Sequence, residues 1–349
     1  MIGEESINQS QCLLDVYIIT YNRAKYLRES IKSVLAQTYS NFELTILDNC
    51  STDETADIVR EFNDNRLKYI KHERNLGAWG NICYAFYGSQ KKYFVIFHDD
   101  DMMSPTLLET EMLYMENTDI SAISCKVLAS DSECNYEDYQ KMIDMRAVMV
   151  KEESIDRYNG SKLFESYIKN RKAIMFPTLM YRTSFLREKK IAVKPEAGPS
   201  ADMLLSLDIE RFGGTIAEIN YPLTFYRCHV GQDSQIKRVE MVCKLFEYMH
   251  KDSYYSEKLE KYHKGQTKYF KRLVYNEICL FANQRIDYVQ LKQDLDAYEG
   301  VLKISTIAQL EVRMAKNVCR FMPKLVKKIY AVGKERKAGD MKTRNWDVE

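Results

Sequence analysis

From Leu13 to about Val127, short apolar runs alternate with stretches in which apolar residues recur every three to four positions. Leu13–Ile19 reads as a buried strand, and beyond it Leu27, Ile31, Val34 and Leu35 share one helical face. Phe42–Leu47 is the next strand, after which Ser51 and Glu54 have the spacing of a capping box for a helix through Ile58, Val59 and Phe62. A third strand near Leu67–Ile70 and a helix near Asn81–Phe86 lead into the apolar run Tyr93–Phe97. Alternation of this kind predicts an α/β fold: a mostly parallel sheet flanked by helices. Residues 128–232 are less regular and hold four of the six prolines. From Gln235 no proline occurs until Pro323, and the long charged and aromatic stretches predict helices. The expected organisation is an α/β domain over 1–232, with halves at about 12–127 and 128–232, then a helical C-terminal region over 233–349.

In a parallel α/β sheet the ligand crevice lies beyond the carboxyl ends of the strands. Three polar clusters fall at those ends: Thr20-Tyr21-Asn22-Arg23, Asp48-Asn49-Cys50-Ser51, and the triplet Asp99-Asp100-Asp101. The pattern therefore predicts that they converge. Adjacent carboxylates repel, and three of them behind an apolar strand suit a hard divalent cation such as Mg²⁺ or Mn²⁺, which bridges protein to phosphate. The alternative for the triplet is a solvated acidic turn ahead of the helix that follows Pro105.

Overall charge changes this picture little. Fifty-one Lys and Arg against 50 Asp and Glu exclude the strong basic bias of a polyanion-binding protein, and no nucleic-acid module is recognisable. Nine cysteines without a C-x-x-C pair or a His/Cys metal spacing fit a reducing compartment. The first residues lack the pattern of a signal peptide, and no apolar stretch is long enough to span a bilayer. Cytoplasmic residence is the expectation, with peripheral attachment to the inner face of a membrane as its extension.

Five blocks in order carry a stronger signal: Ile18-Ile19-Thr20-Tyr21-Asn22-Arg23, Ser33-Val34-Leu35-Ala36-Gln37-Thr38-Tyr39, Leu47-Asp48-Asn49-Cys50-Ser51-Thr52-Asp53, Asn75-Leu76-Gly77, and the acidic triplet. Together they resemble the family 2 glycosyltransferases, which have the Rossmann-like GT-A fold. The resemblance implies transfer of a hexosyl or N-acetylhexosaminyl group from a nucleotide diphosphate donor to a hydroxyl, with inversion and with Mn²⁺ or Mg²⁺. It implies donor-nucleotide contacts from Ile19, Tyr21, Arg23, Asp48, Asn49, Asn75, Gly77, Asn81 and Asp99. Tyr21 would lie against the base and Asp99 would face the ribose. Asn49 stands where the family usually has a second Asp, and UDP is the expected nucleotide.

Asp100 is then the principal metal ligand, Asp101 supports the turn or a metal-bound water, and His98, where the family has its first Asp, is a structural strand-end residue. Asn81 has a second reading as a helix N-cap. The proton acceptor matches Asp202 in Gly198-Pro199-Ser200-Ala201-Asp202, with Ala201 in place of the usual Glu. His229, closing the block Tyr221–His229, would complete the metal shell or contact the diphosphate, or else be an ordinary strand-end residue. The implied partners are a nucleotide-sugar donor and a glycan or lipid-linked acceptor, in surface polysaccharide or glycoconjugate synthesis. An inactive sugar-nucleotide-binding protein and a nucleotidyltransferase are the rivals, the latter disfavoured by the missing glycine-rich basic phosphate loop. From Arg313 to Lys337, nine basic residues interleave with apolar ones against the single Glu335. That pattern suits an anionic membrane surface or a basic solvated helix flank.

Overall fold

The computed structural model describes residues 12–130, 134–147, 155–170, 173–229, 232, 236–302 and 306–328. Strand β1 (Leu14–Thr20) lies between β2 (Phe42–Asp48) and β4 (Tyr93–His98), with β3 (Leu67–Lys71) outside β2, all four parallel. Leu14, Val16, Ile18, Leu44, Ile46, Phe94, Ile96 and Phe97 are buried, as expected where helices cover both faces. The covering helices are α1 (Ala24–Leu35), α2 (Thr55–Arg60) and α3 (Gly77–Gly88). The chain runs from β1 outward through β2 and β3, then returns to lay β4 on the other side of β1. That reversal opens a crevice at the carboxyl ends of β1 and β4, and the register sets Thr20 opposite Asp48 and Ile19 opposite His98.

The rest of the sheet is mixed, not mostly parallel. The order is β3-β2-β1-β4-β8-β6-β9-β5. Here β8 (Met180–Arg182) runs antiparallel to both β4 and β6 (Ala122–Ser130). Strand β9 (Ile216–Arg227) is parallel to β6 but antiparallel to β5 (Met102–Met103) and β7 (Ile155–Tyr158). Helices α4 (Leu107–Asn117), α5 (Tyr136–Ala147), α6 (Lys162–Asn170), α7 (Thr183–Glu188) and α8 (Ala201–Arg211) fill the second half. Two local expectations also change. No capping box forms at α2: the Ser51 amide donates to Asp48 Oδ1 at 2.7 Å, its hydroxyl accepts the Asn22 amide at 2.9 Å, and Asp53 Oδ1 takes the Thr55 amide instead. Helix α3 begins at Gly77, so Asn81 lies inside it and is not a cap.

The C-terminal region is helical: α9 (Arg238–Lys251), α10 (Ser253–Lys261), α11 (His263–Ala282), α12 (Tyr288–Val301) and α13 (Thr306–Phe321). These helices share one apolar cluster with the part of the chain before them, Phe246, Tyr269, Phe270 and Leu295 packing together with Phe164, Tyr167 and Leu204. Helix α9 crosses the 3-10 turn Pro195–Ser200 so closely that a Cβ on Gly198 would stand 2.7 Å from Lys244 Cβ. Gly198 also has φ +71°, which side chains with a Cβ rarely adopt. Behind α8, Asp208 accepts Lys194 Nζ at 2.7 Å and the Tyr255 hydroxyl at 2.8 Å, and Arg211 donates to Asp252 at 2.9 Å. The extension thus braces the helix that carries Asp202.

Candidate active site

The three strand-end clusters meet. The Asn49 amide donates to Thr20 O at 2.9 Å, Asn22 Oδ1 accepts the Thr52 amide at 2.8 Å, and Asp53 Oδ2 accepts the Ala24 amide at 3.0 Å. Asn22 and Cys50 both have positive φ, at 52° and 69°, which turns the two loops toward each other. Across the crevice, Arg23 Nη1 lies 2.7 Å from Asp100 Oδ2 and 3.3 Å from Asp99 Oδ1. His229 Nε2 is 3.0 Å from the same Asp100 Oδ2.

Asp99, Asp100 and Asp101 are each at most 4% exposed, so their charges are not relieved by water. Burial, then the Asp100 charge, lifts Asp99 to about 7; the same two causes push Asp101 well above the ordinary carboxylate range. Burial also acts on Asp100, but the hydrogen bond from His229 and the nearby positive charges, Arg23 among them, outweigh it and hold Asp100 below its usual value. The triplet is therefore short of positive charge. One ligand atom from each of His98, Asp100 and Asp101 lies within 4.8 Å of the others, and Asp101 Oδ2 is buried without a hydrogen-bond partner. Burial lowers the basicity of the His98 imidazole, against the pull of the Asp100 charge, and so favours the neutral form that can ligate. An orphaned carboxylate oxygen among hard donors and one neutral imidazole fits Mn²⁺ or Mg²⁺. His98, expected to be structural, is thus among the residues that could hold a cation, and His229 meets the same turn at Asp100 Oδ2.

Arg227 is what fixes the turn. It is 5% exposed; its amide donates to Asp101 Oδ1 at 3.0 Å, Nε to Asp100 O at 3.0 Å, and Nη2 to Cys134 O at 2.9 Å. The strand β9 end therefore locks the acidic turn.

At the ends of β1 and β2, Tyr21 stands 45% exposed. Asp48 is fully buried, one oxygen accepting the Ser51 amide and the other the Tyr69 hydroxyl at 2.6 Å, so it shapes the loop from within. Asn49 is a brace as well. Its Nδ2 donates to Asn75 Oδ1 at 2.9 Å and to Gly77 O at 3.1 Å, and its Oδ1 accepts the Leu76 amide at 2.8 Å. An Asp cannot make those two donations. Asn49→Asp would set a carboxylate against two acceptors and is expected to destabilise the fold by about 1–3 kcal/mol; an unchanged thermal midpoint would remove the bracing role. Gly77 needs its φ of +75° to enter α3. Asn81, 3% exposed, donates to Leu47 O at 2.9 Å and meets His72 Nε2 at 2.9 Å.

Asp202 sits in the first turn of α8, its Oδ1 accepting the Met203 amide at 2.7 Å. Burial raises its carboxyl to about 6, and its charge in turn helps raise the Tyr181 hydroxyl, so the two are neighbours. Asp202 makes no hydrogen bond or ion pair to the acidic turn among the described residues. The 3-10 turn Phe176–Thr178, whose Phe176 ring lies 5.7 Å from the His98 ring, precedes β8, the strand that carries Tyr181.

The sequence profile described as Glycosyl transferase family 2 matches residues 15–188. An uncharacterized glycosyltransferase of Methanocaldococcus jannaschii is 30% identical over 195 residues, 54% of this chain and 61% of that protein. An Escherichia coli protein named UDP-Glc:alpha-D-GlcNAc-diphosphoundecaprenol beta-1,3-glucosyltransferase WfaP is 32% identical over 104 residues, 30% of this chain and 41% of that protein. Both matches span less than two thirds of the relative. The crystal structure of S. aureus TarS residues 1–349 in complex with UDP-GlcNAc superposes with a TM-score of 0.62 over 92% of each chain at 17% identity, a likeness of fold. That fold is GT-A, and because the profile match runs through the strand ends that meet at the acidic turn, the chain belongs to glycosyl transferase family 2.

Proposed function

We propose that the chain transfers a sugar from a nucleoside diphosphate donor, with UDP as the carrier, to a hydroxyl of a glycan or lipid-linked acceptor, with inversion. The observation that carries this reading is the buried acidic turn. Asp100 is ionised between Arg23 and His229, with His98 and an unpartnered Asp101 oxygen alongside. His98, Asp100 and Asp101 would hold Mn²⁺ or Mg²⁺, which when bound neutralises charge on the departing diphosphate. Arg23, a third of whose side chain is exposed, would exchange Asp100 for a phosphate oxygen of the donor. Tyr21 offers its ring to the base. Asn49 keeps one lone pair on Oδ1 for a base N–H, which uracil N3 supplies. Asp202, in the first turn of α8 and with its carboxyl held near 6, accepts the proton of the attacking hydroxyl. The UDP-GlcNAc bound to TarS and the UDP-Glc and lipid-diphosphate in the name of the E. coli relative support donor and acceptor class. Synthesis of a surface polysaccharide or glycoconjugate is the setting.

Calorimetric titration with UDP and GDP, each with and without Mn²⁺, tests the donor site. Manganese-strengthened binding of UDP over GDP is the expected result. Preference for GDP overturns the base assignment, and failure of both nucleotides to bind in the presence of metal overturns the donor site.

A further inference from the structure

Helix α13 carries apolar residues on two faces, of which the described residues cover one. Ala308, Val312 and Cys319 are buried on the side that packs against α11 and α12. Leu310, Met314, Val318 and Phe321, spaced by four, four and three, form a second row that is 54%, 66%, 40% and 71% exposed. Met322 and Leu325 are exposed as well and prolong the row into the helical residues 323–328. Single exposed apolar side chains are ordinary; a contiguous row this long marks a surface that something covers. A plain solvated flank does not account for it.

Charge identifies the cover. Arg313, Arg320, Lys324 and Lys328 are exposed and Lys327 is half-buried, and none of the five forms an ion pair among the described residues. By contrast, Lys316 is held by Asp296 and Glu299, each at 2.6 Å, and Glu311, the one acidic residue of 306–328, by Lys271 at 2.8 Å. The local surface is apolar with a rim of one sign. The expected basic segment extends to Lys337, and its part beyond residue 328 lies outside the described residues.

We infer that this face adsorbs to an anionic lipid surface, the apolar row entering the boundary between headgroups and chains and the basic rim meeting the phosphates. A second copy of the chain would press like-charged rims together, which disfavours self-pairing. A polyanion in water would use the charges and leave the apolar row uncovered. The inference stands on α13 and the residues after it, independently of the donor chemistry. With a lipid-linked acceptor, it would hold the enzyme on the surface where that acceptor lies.

The test is flotation of the full chain with vesicles of phosphatidylcholine alone or mixed with phosphatidylglycerol. Capture on the mixed vesicles is expected to exceed that on neutral ones by at least about tenfold and to fall as salt is raised. Met314→Asp combined with Phe321→Asp should abolish capture, and Arg320→Ala or Lys324→Ala should each weaken it by about fivefold. All these side chains are exposed, so UDP binding should persist in every variant, which separates loss of adsorption from misfolding or a failed donor site. Equal capture on both vesicle types, or no capture at low salt, overturns the inference. So does a dimer by light scattering that Phe321→Asp splits while vesicles capture nothing, which would assign the face to a second copy.

Discussion

Asp202→Asn is expected to lower kcat by about 100- to 10,000-fold while UDP affinity stays within about twofold, because the change removes a proton acceptor and no donor-side contact. In the wild-type protein the rate should fall as pH drops through about 6, where burial has placed the carboxyl. The same shift has a stability consequence of definite sign. The folded-state value lies above that of an unfolded aspartate, so folding penalises the charged form. Below about pH 4 the group is protonated in both states and contributes nothing; the penalty grows between about pH 4 and about pH 6 and is full above. Asn carries no charge to desolvate. The variant should therefore melt a few degrees higher than wild type at pH 8, with the difference shrinking toward pH 4. An inactive enzyme that is more stable is the signature of a carboxylate held against its solvation preference for a chemical purpose. A rate within tenfold of wild type would show that another group takes the proton; a variant that melts lower at pH 8 would show that Asp202 serves the α8 terminus.

How much of this was legible in the sequence depends on the range of the interaction. Strands β1 and β4 are readable because each is a nearly continuous buried apolar run, and β2 because its apolar residues dominate; β3, the exposed edge strand Leu67–Lys71, shows only as a short run after them, and the ends of β1, β2 and β4 carry the family's blocks. Strands β5, β7 and β8, of two, four and three residues, are too short for periodicity to separate from loop, which is why the sheet reads as mostly parallel and is in fact mixed. The capping box at Ser51 fails because both Ser51 groups are engaged by residues on β2 and the loop after β1, a tertiary preference that local spacing does not register. Site residues follow the same rule. Asp100 and Asp202 come from motifs, whereas the pairing of Arg23 with Asp100 spans 77 positions and that of Arg227 with the acidic turn spans about 126, and nothing local announces either. His98 was legible only as a strand end; it becomes a candidate ligand once the turn folds its ring toward Asp101 Oδ2, 3.8 Å away. Asn49, a departure from the family pattern in the sequence, acquires a reason in the amide donations that hold Asn75 and Gly77.

Asp100→Asn is expected to weaken Mn²⁺ binding by at least about 100-fold, since even loss of an outer contact to a metal ligand costs 10- to 100-fold. Manganese should then no longer strengthen UDP binding, and turnover should fall to background, while the metal-free affinity for UDP changes little. Manganese affinity measured by electron paramagnetic resonance without nucleotide reads the site independently of activity. The contacts around Asp100 sharpen this test. Arg23 Nη1 lies 2.7 Å from Asp100 Oδ2, so the guanidinium would compete with a cation held by that carboxylate. The pair is partly exposed and is worth about 1 kcal/mol, or about fivefold in affinity. Arg23→Gln should accordingly raise Mn²⁺ affinity in the free protein by about that factor and, by removing a phosphate partner, lower UDP affinity in the presence of Mn²⁺. The two variants thus move metal affinity in opposite directions through one oxygen atom. If Arg23→Gln lowers Mn²⁺ affinity, the guanidinium is organising the carboxylates for the ion and does not compete with it; if Asp100→Asn leaves Mn²⁺ affinity intact, the cation sits elsewhere and the acidic turn loses its assignment.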